Sequence, residues 1–245
     1  MAAGPDVLAD ARRVVTAASQ AGLTLRVLGG VAIGLRCPSA LSPPLARTYR
    51  DLDFMGLAAE SDRISDVFEQ LGYVAERRFN AINGHRRLMF RDDTGERTVD
   101  VLLDHFEMCH NFDFRDRLRL EPLTLPAADL LLTKLQVVDA EDKDIVDALA
   151  LLLDHETGHA PGELDTAHIA RLCGRDWGLH ATVERSLDKL EARTGALDAA
   201  RRDRVHDVIA ALREQMSSEP KSARWRARAR VGTRVKWYTL PEEVA

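Results

Sequence analysis

Two neighbouring stretches decide the fold: residues 25–35, LRVLGGVAIGL, and residues 47–55, RTYRDLDFM. The first is typical of a short apolar strand that ends in two glycines and continues into a helix. The second places Asp51 and Asp53 one residue apart in an otherwise apolar segment. Carboxylates in a strand interior are unfavourable unless another group compensates their charge. The pattern therefore predicts a bound cation close to the glycines.

The two acids are expected to point to one side of a strand, because alternate side chains share a face. Carboxylates this close repel each other, and a hard cation such as Mg²⁺ removes the repulsion. A third acid, Asp100, lies between Val99 and Val101 in another apolar run, residues 97–104. If the two runs pair as neighbouring strands, three carboxylates converge, as two-metal phosphoryl or nucleotidyl transfer requires. A slip in register would bring Asp104 to that place instead.

Gly29 and Gly30 provide the second feature of this region. At a strand-to-helix turn, backbone N–H groups and the positive end of the helix dipole face an incoming anion. Without a Cβ atom, the main chain at a glycine can approach a phosphate closely. The glycine pair followed by two acids on the next strand therefore predicts a polyphosphate site.

These residues resemble a known superfamily. Together they are similar to the DNA-polymerase-β-like nucleotidyltransferases, whose pattern is Gly-Gly or Gly-Ser, a spacer and Asp-hydrophobic-Asp. The long spacer more closely resembles the AbiEii group of bacterial toxin and abortive-infection nucleotidyltransferases, which carry an R-x-T-x-D-h-D-F-like segment. The counterparts here are Arg47, Thr48, Asp51, Asp53 and Phe54, with Thr48 directly after Arg47.

A helical segment extends the resemblance to about residues 24–153. In that group a lysine precedes a Lys-Asp-x-x-Asp motif, and residues 131–152, LLTKLQVVDAEDKDIVDALALL, look like it. The counterparts are Lys134, Lys143, Asp144 and Asp147. The remaining helices carry no signature of this group.

The resemblance implies a Mg²⁺-dependent nucleotidyltransferase that transfers NMP from an NTP to an acceptor hydroxyl and releases pyrophosphate. It implies two Mg²⁺ ions on Asp51, Asp53 and Asp100, or Asp100 as acceptor of the hydroxyl proton. Gly29 and Gly30 would hold the triphosphate tail. The other nucleotide-binding residues implied are Arg47, Arg50, Lys143, Asp144 and Asp147, with Lys134 as a catalytic residue that neutralises phosphate charge.

The resemblance leaves three functions open. A toxin-type enzyme would add nucleotides to tRNA and would have an antitoxin protein as partner. An antibiotic-modifying enzyme would transfer a nucleotide to a small hydroxylated drug, and the acidic chain suits a cationic drug. A catalytically inactive nucleotide-binding module is the third, although three converging acids argue against it.

Some of these residues also have simpler explanations. Lys134 is compatible with a helix lysine that extends its ammonium to solvent. Asp144 and Asp147, three residues apart on one helical face, either orient Lys134 or complement the dipole at a helix N-terminus.

The end of the chain is basic and aromatic. Residues 221–236 contain seven lysines and arginines, accompanied by Trp225, Trp237 and Tyr238. Such a segment could contact RNA phosphates and stack bases. Alternatively, it packs as a basic tail across an acidic body.

The stretch HETGH, residues 155–159, matches the H-E-x-x-H pattern of zinc metalloproteases. That chemistry requires both histidines on one face of a continuous helix. Gly158 inside the motif and Pro161 just after it instead predict the end of a helix. We therefore do not expect a zinc site here.

The chain changes character after Pro126, where helical periodicity replaces alternating strands and helices. We predict an α+β fold: a nucleotidyltransferase-like mixed β-sheet flanked by helices, followed by a C-terminal helical domain. The predicted parts are an α/β domain, a helical domain and a basic aromatic tail, over residues 1–125, 126–216 and 217–245.

Composition agrees with an ordinary globular protein, since 45% of the 245 residues are hydrophobic and 30% are charged. A net charge of −5 argues against a general nucleic-acid binder. The scattered Cys37, Cys109 and Cys173 fit a reducing cytosol better than a disulfide framework. The N-terminal residues lack an apolar signal core, and no apolar run is long enough for a membrane span. We therefore expect a cytoplasmic protein with no membrane partner.

Overall fold

The computed structural model describes residues 4–92 and 97–240. Within these ranges the helices are α1 (Gly4–Gln20), α2 (Gly29–Arg36), α3 (Ser61–Gln70), α4 (Arg77–Asn83), α5 (Ala127–Leu135), α6 (Asp142–Asp154), α7 (Thr166–Arg175), α8 (Trp177–Ala192), α9 (Ala199–Ser218) and α10 (Ala223–Val231). The strands are β1 (Leu25–Leu28), β2 (Leu52–Gly56), β3 (Val74–Ala75), β4 (Arg87–Arg91), β5 (Thr98–Leu103), β6 (His105–Glu107) and β7 (Asn111–Asp113). The predicted α+β fold, with a mixed sheet, flanking helices and a helical second half, is confirmed.

The chain forms two compact units. The first unit consists of Met1–Arg36, Arg47–Phe106 and Phe112–Pro126. The second consists of Cys37–Ala46, Glu107–Asn111 and Ala127–Ala245. The predicted division into an α/β domain, a helical domain and a tail stays a prediction.

The sheet of the first unit has five strands in the order β1-β2-β5-β4-β3. β2 and β5 run parallel, and the other neighbouring pairs are antiparallel. β4 and β5 are consecutive antiparallel strands, and residues 93–96 between them lie outside the described ranges. The register of the parallel pair places Asp53 directly opposite Asp100. The two acids therefore lie side by side on the same face of the sheet.

The opposite face of this sheet is apolar and fully buried. Phe54, Val99 and Val101 are 0% exposed. Phe68 of α3 covers this face, with its ring centroid 5.6 Å from that of Phe54 and 4.5 Å from that of Phe90. Since side chains alternate along a strand, burying these residues holds Asp53 and Asp100 on the other face.

Helix α1 is attached to the first unit through Asp10. The Asp10 carboxylate accepts a hydrogen bond of 2.6 Å from the Tyr73 hydroxyl and forms a 3.0 Å ion pair with Arg97. Burial, together with the hydrogen bond to Asp10, raises the pKa of Tyr73. The tyrosine is therefore a neutral hydrogen-bond donor near neutral pH.

The second unit contains α5 to α10, and α5 to α9 each bury several apolar side chains. Several of these helices begin at an aspartate that accepts backbone hydrogen bonds, as expected for N-cap residues. These aspartates are Asp165, Asp176 and Asp198. Cys37, Cys109 and Cys173 are buried, and among the described residues they form no disulfide. Within the described ranges no helix has the length and apolar character needed to cross a bilayer.

The HETGH stretch begins just after α6 ends at Asp154. His155 is buried, and its Nδ1 atom lies 3.2 Å from the carbonyl oxygen of Leu151. His159 is exposed and lies 3.1 Å from Asp165. The two histidines thus lie outside α6 and not on one face of a continuous helix.

We predict that Phe68→Ala lowers the free energy of unfolding by about 3–5 kcal/mol, because it leaves a cavity between three aromatic rings. Urea denaturation followed by circular dichroism measures this change. The matched variant Val74→Ala, at a side chain that is 60% exposed, should change stability by no more than about 0.5 kcal/mol. Equal losses in the two variants would contradict the described core.

Candidate functional site

The centre of the candidate site is the bend between β1 and α2. Gly29 begins α2 with a φ of +67°, a backbone conformation that residues other than glycine rarely adopt. A Cβ atom at Gly29 would lie 3.0 Å from the Asp53 Cγ and would overlap its Oδ2 atom. The absence of a side chain at Gly29 therefore allows the Asp53 carboxylate to lie directly against the backbone at the start of a helix.

Gly30 supports a second close approach. A Cβ atom there would overlap the end of the Arg47 guanidinium and lie 3.0 Å from the Tyr49 ring. The Arg47 Cζ atom lies 4.5 Å from the centroid of that ring, so the guanidinium stacks on it. The bend thus has a carboxylate on one side and a cation on the other.

Tyr49 is a site residue that the sequence did not reveal. It is 5% exposed, and its ring also lies within 2.8 Å of the position that a Cβ atom at Gly34 would take. Tyr49 therefore fixes where the guanidinium of Arg47 lies on α2. A tyrosine two residues after an arginine matches no recognisable motif. The stacking of Arg47 on Tyr49 therefore could not be predicted from the sequence.

Asp100 already has a cation as partner. The Arg87 Nε donates a 2.7 Å hydrogen bond to Asp100 Oδ1, and the Nη2 of the same guanidinium donates to Oδ2. These hydrogen bonds raise the pKa of Arg87, burial lowers it to a smaller extent, and the charges of Asp100 and Asp53 raise it further. Arg87 therefore stays charged and faces both acids.

Arg87 was missed because the sequence does not fix which arginine reaches the acids. Residues 86 and 87 are both arginine, and only the pairing of β4 with β5 distinguishes them. Met89 lies opposite Asp100 in the ladder, so the two side chains share a face of the sheet. Arg87 lies two residues before Met89 in the same strand and therefore points to that face as well. Arg86 precedes the strand and is exposed.

Three other candidate positions lie outside the strands. Asp51 precedes β2, which begins at Leu52, and its side chain is exposed. Arg50 is also exposed. Asp104, the alternative third acid, accepts a 3.0 Å hydrogen bond from the backbone N–H of Ala58 beyond the other end of β2. The observed register thus brings Asp100, and not Asp104, next to Asp53.

The oxygen donors of the site fit a magnesium ion in part. Asp51 and Asp53 provide the one or two carboxylates that Mg²⁺ commonly takes together with substrate phosphates. Both oxygens of Asp100, by contrast, are engaged by Arg87. In the part of the chain that the structure describes, no three histidine, cysteine or acidic side chains form a group suited to a metal ion. The metal-binding roles of the three acids therefore stay predictions.

Lys134, Asp144 and Asp147 come together in the second unit. The Lys134 ammonium lies 2.9 Å from a carboxylate oxygen of each aspartate. Asp147 is 0% exposed, and the side chain of Lys134 is only 11% exposed. Burial by itself lowers the pKa of Lys134, but the charges of Asp147 and Asp144 outweigh it, so the pKa lies above its ordinary value.

The surroundings of this triad favour a structural role for one member. Asp144 takes part in the capping box of α6 with Glu141, so it satisfies backbone N–H groups at the helix start. Lys143 points to solvent, 58% exposed, and forms a 2.9 Å ion pair with Glu141. The nucleotide-binding roles of these residues stay predictions.

The C-terminal segment, residues 221–240, is helical over α10 and contacts α7 and α8 of its own unit through its rings. The indole N–H of Trp225 donates a 2.9 Å hydrogen bond to the carbonyl of Cys173. The indole N–H of Trp237 donates a 3.0 Å hydrogen bond to Thr182 Oγ1. Both indole N–H groups are therefore used within the unit, which argues against their role in base recognition.

The same segment has many cations and no acids between residues 220 and 241. The cations are Lys221, Arg224, Arg226, Arg228, Arg230, Arg234 and Lys236. Among the residues that the structure describes, no carboxylate forms an ion pair with any of these seven. The tail thus packs on its own unit, which is one of the two arrangements considered from the sequence. Trp225 and Trp237 make these contacts, and carboxylates of the described residues do not pair with its cations.

No protein-family model matches the chain, and no curated protein matches it. Among solved structures, the chain is similar to a lincomycin-bound crystal structure of the lincosamide antibiotic adenylyltransferase LnuA. The match has 15% sequence identity and a TM-score of 0.39, and it covers 57% of this chain and 92% of that chain. A match at this level assigns neither a family nor a substrate, so the function has to be inferred from the residues themselves.

We predict that Gly29→Ala destabilises the protein more than Gly22→Ala does. Both glycines have a positive φ, so both variants lose about 1–2 kcal/mol from backbone strain. Only the new methyl at Gly29 also meets Asp53, whereas nothing lies within 4 Å at Gly22. The overlap should cost about 1–3 kcal/mol more in urea denaturation. Equal losses would contradict the close approach of Asp53.

We predict that Lys134→Met lowers the free energy of unfolding by about 3–5 kcal/mol at pH 7, because two carboxylates lose their buried partner. The exposed Lys143→Met serves as control and should cost no more than about 0.5 kcal/mol.

The effect of Lys134 should depend on pH in a defined direction. Because the pKa of Lys134 is raised, its contribution is fully present below the ordinary value of 10.5 and is lost as the pH rises through the folded-state value. The stability difference between wild type and Lys134→Met should therefore be constant near neutral pH and shrink above pH 10.5. A difference that grows with alkaline pH would contradict the ion pairs.

Proposed function

We propose that this protein is a Mg²⁺-dependent nucleotidyltransferase that transfers NMP from an NTP to an acceptor hydroxyl. The observation that carries the proposal is the placement of Asp53 against Gly29 with Asp100 opposite it in the sheet. In the proposal these acids hold a metal ion beside the N-terminus of α2, whose backbone N–H groups favour bound phosphate. A protein that needed only a stable sheet would gain nothing from two carboxylates side by side on its central strands.

In this proposal Asp51 and Asp53 hold the Mg²⁺ ion. When bound, the ion neutralises charge on the phosphates and favours departure of pyrophosphate. The start of α2 at Gly30 and the stacked Arg47 bind the triphosphate tail. Arg50, exposed beside them, adds a further cation for phosphate.

In the proposed transfer, one bond to phosphorus forms and another breaks. The acceptor oxygen forms a bond to the α-phosphorus of the NTP, while the bond from that phosphorus to the bridging oxygen of the β-phosphate breaks. Pyrophosphate leaves with the electron pair of the broken bond, and the acceptor hydroxyl loses its proton. Asp100 is the proposed proton acceptor on the face shared with Asp53.

The resemblance implies further nucleotide-binding groups. Lys134, with its charge maintained by Asp144 and Asp147, is proposed as a compact cation for phosphate, and Lys143 as an exposed cation for the nucleotide. These assignments rest on the resemblance of residues 131–152. An antitoxin partner rests on the same resemblance.

We propose RNA, with tRNA as the first candidate, as the acceptor. The tail supports this choice, because its seven cations have no carboxylate partners among the described residues and would gain most from a polyanion. The rings of Trp225 and Trp237 hold the segment in place, which limits the entropy lost on binding.

A single experiment separates the open functions. The protein is incubated with Mg²⁺, each α-labelled NTP in turn, and either total tRNA or a panel of small hydroxylated antibiotics. Label in tRNA supports the proposed acceptor, and label only in a drug supports the antibiotic-modifying alternative. Binding of NTP without a requirement for Mg²⁺ and without pyrophosphate release would identify the protein as a nucleotide-binding module.

We predict that Asp53→Asn lowers the rate of pyrophosphate release by at least about 100-fold, because it removes a negative oxygen ligand next to the phosphates. The matched variant Asp66→Asn removes an exposed carboxylate from α3 and should leave the rate unchanged. A coupled pyrophosphate assay measures both variants. Normal turnover by Asp53→Asn would contradict the proposed site, provided that both variants unfold at the wild-type urea concentration.

A further inference from the structure

We infer that Arg87 takes the place of a second metal ion at Asp100, so that the site uses one divalent ion and one fixed guanidinium. The inference rests on the proposed function and changes one part of it, since the resemblance implies two metal ions. It identifies Arg87 as a positioning residue that sets the metal stoichiometry of the site.

Arg87 and Asp100 form a bidentate ion pair. Arg87 binds Asp100 with two parallel N–H donors, one to each carboxylate oxygen. This fork is the arrangement in which a guanidinium matches a carboxylate best. Because the guanidinium already engages both oxygens, a metal ion at Asp100 would have to share them with a cation or displace it.

The surroundings of Arg87 hold its side chain in this position. Its backbone lies in the ladder between β4 and β5, opposite Leu102. Its guanidinium carbon lies 5.7 Å from the centroid of the Phe79 ring. The side chain is only 28% exposed, and that of Asp100 is 18% exposed. A pair this shielded is screened by solvent and salt much less than a surface ion pair.

The positive charge of Arg87 disfavours a second metal ion beside Asp100. The guanidinium is permanently charged, and its pKa is raised further by the hydrogen bonds with Asp100 and by the charges of Asp100 and Asp53. A second divalent cation beside it would be repelled. In the proposed function, Asp51 and Asp53 are the carboxylates that hold the one ion.

The test counts bound metal directly and needs no turnover. The protein is dialysed to equilibrium with Mn²⁺ and the α,β-methylene analogue of each NTP, and bound metal and nucleotide are measured per chain. We expect one Mn²⁺ per bound nucleotide in the wild type. Arg87→Met should bind two, because Asp100 becomes available as a ligand.

Three further variants complete the test. Arg87→Lys keeps a cation at Asp100 and should bind one ion. Arg86→Met removes the neighbouring exposed arginine and should also bind one. The double variant with Arg87→Met and Asp100→Asn should return from two ions to one, which a general loosening of the fold would not produce.

The possible failures are distinguishable. Two Mn²⁺ per nucleotide in the wild type would overturn the role of Arg87 while leaving nucleotidyl transfer intact. A folded Arg87→Met variant that still binds one ion would overturn it as well. If the wild type binds neither nucleotide nor Mn²⁺, the proposed function itself fails, and this inference fails with it.

Discussion

The close approach of the Asp53 carboxylate to the backbone of Gly29 is the constraint on which the site depends. It requires a residue without a Cβ atom, in a left-handed conformation, at the start of a helix. It also requires that β2 present Asp53 to the face opposite the buried core. The apolar face under Phe68 meets the second requirement, since a register slip would bury the acid and expose the core.

Charge compensation shapes the rest of the first unit. Carboxylates on central strands are tolerated only when cations lie nearby, and the structure places two arginines around the acids. Arg87 binds Asp100, and Arg47 stacks on Tyr49 across the start of α2. Arg87 thus compensates Asp100, and in the proposed function Asp51 and Asp53 hold a metal ion.

Much of this arrangement was accessible from the sequence. Apolar periodicity and the glycine pair predicted the strand–helix bend, the strand that carries Asp53 and the apolar run that carries Asp100. The pairing of β2 with β5 was expected only as a condition, because register depends on long-range packing and not on local pattern. The same limit hid Arg87 and Tyr49, whose roles exist only after the chain has folded. For the tail, the composition left RNA contact or packing on the body open, and the structure shows Trp225 and Trp237 hydrogen-bonded within their own unit.

The most direct measurement is a crystal structure of the protein with Mn²⁺ and an α,β-methylene NTP, with the metal located by its anomalous signal. The account predicts an anomalous peak at the Asp53 carboxylate and a triphosphate in contact with both the start of α2 and the Arg47 guanidinium. A nucleotide bound elsewhere in the first or second unit, with no metal at Asp53, would contradict it.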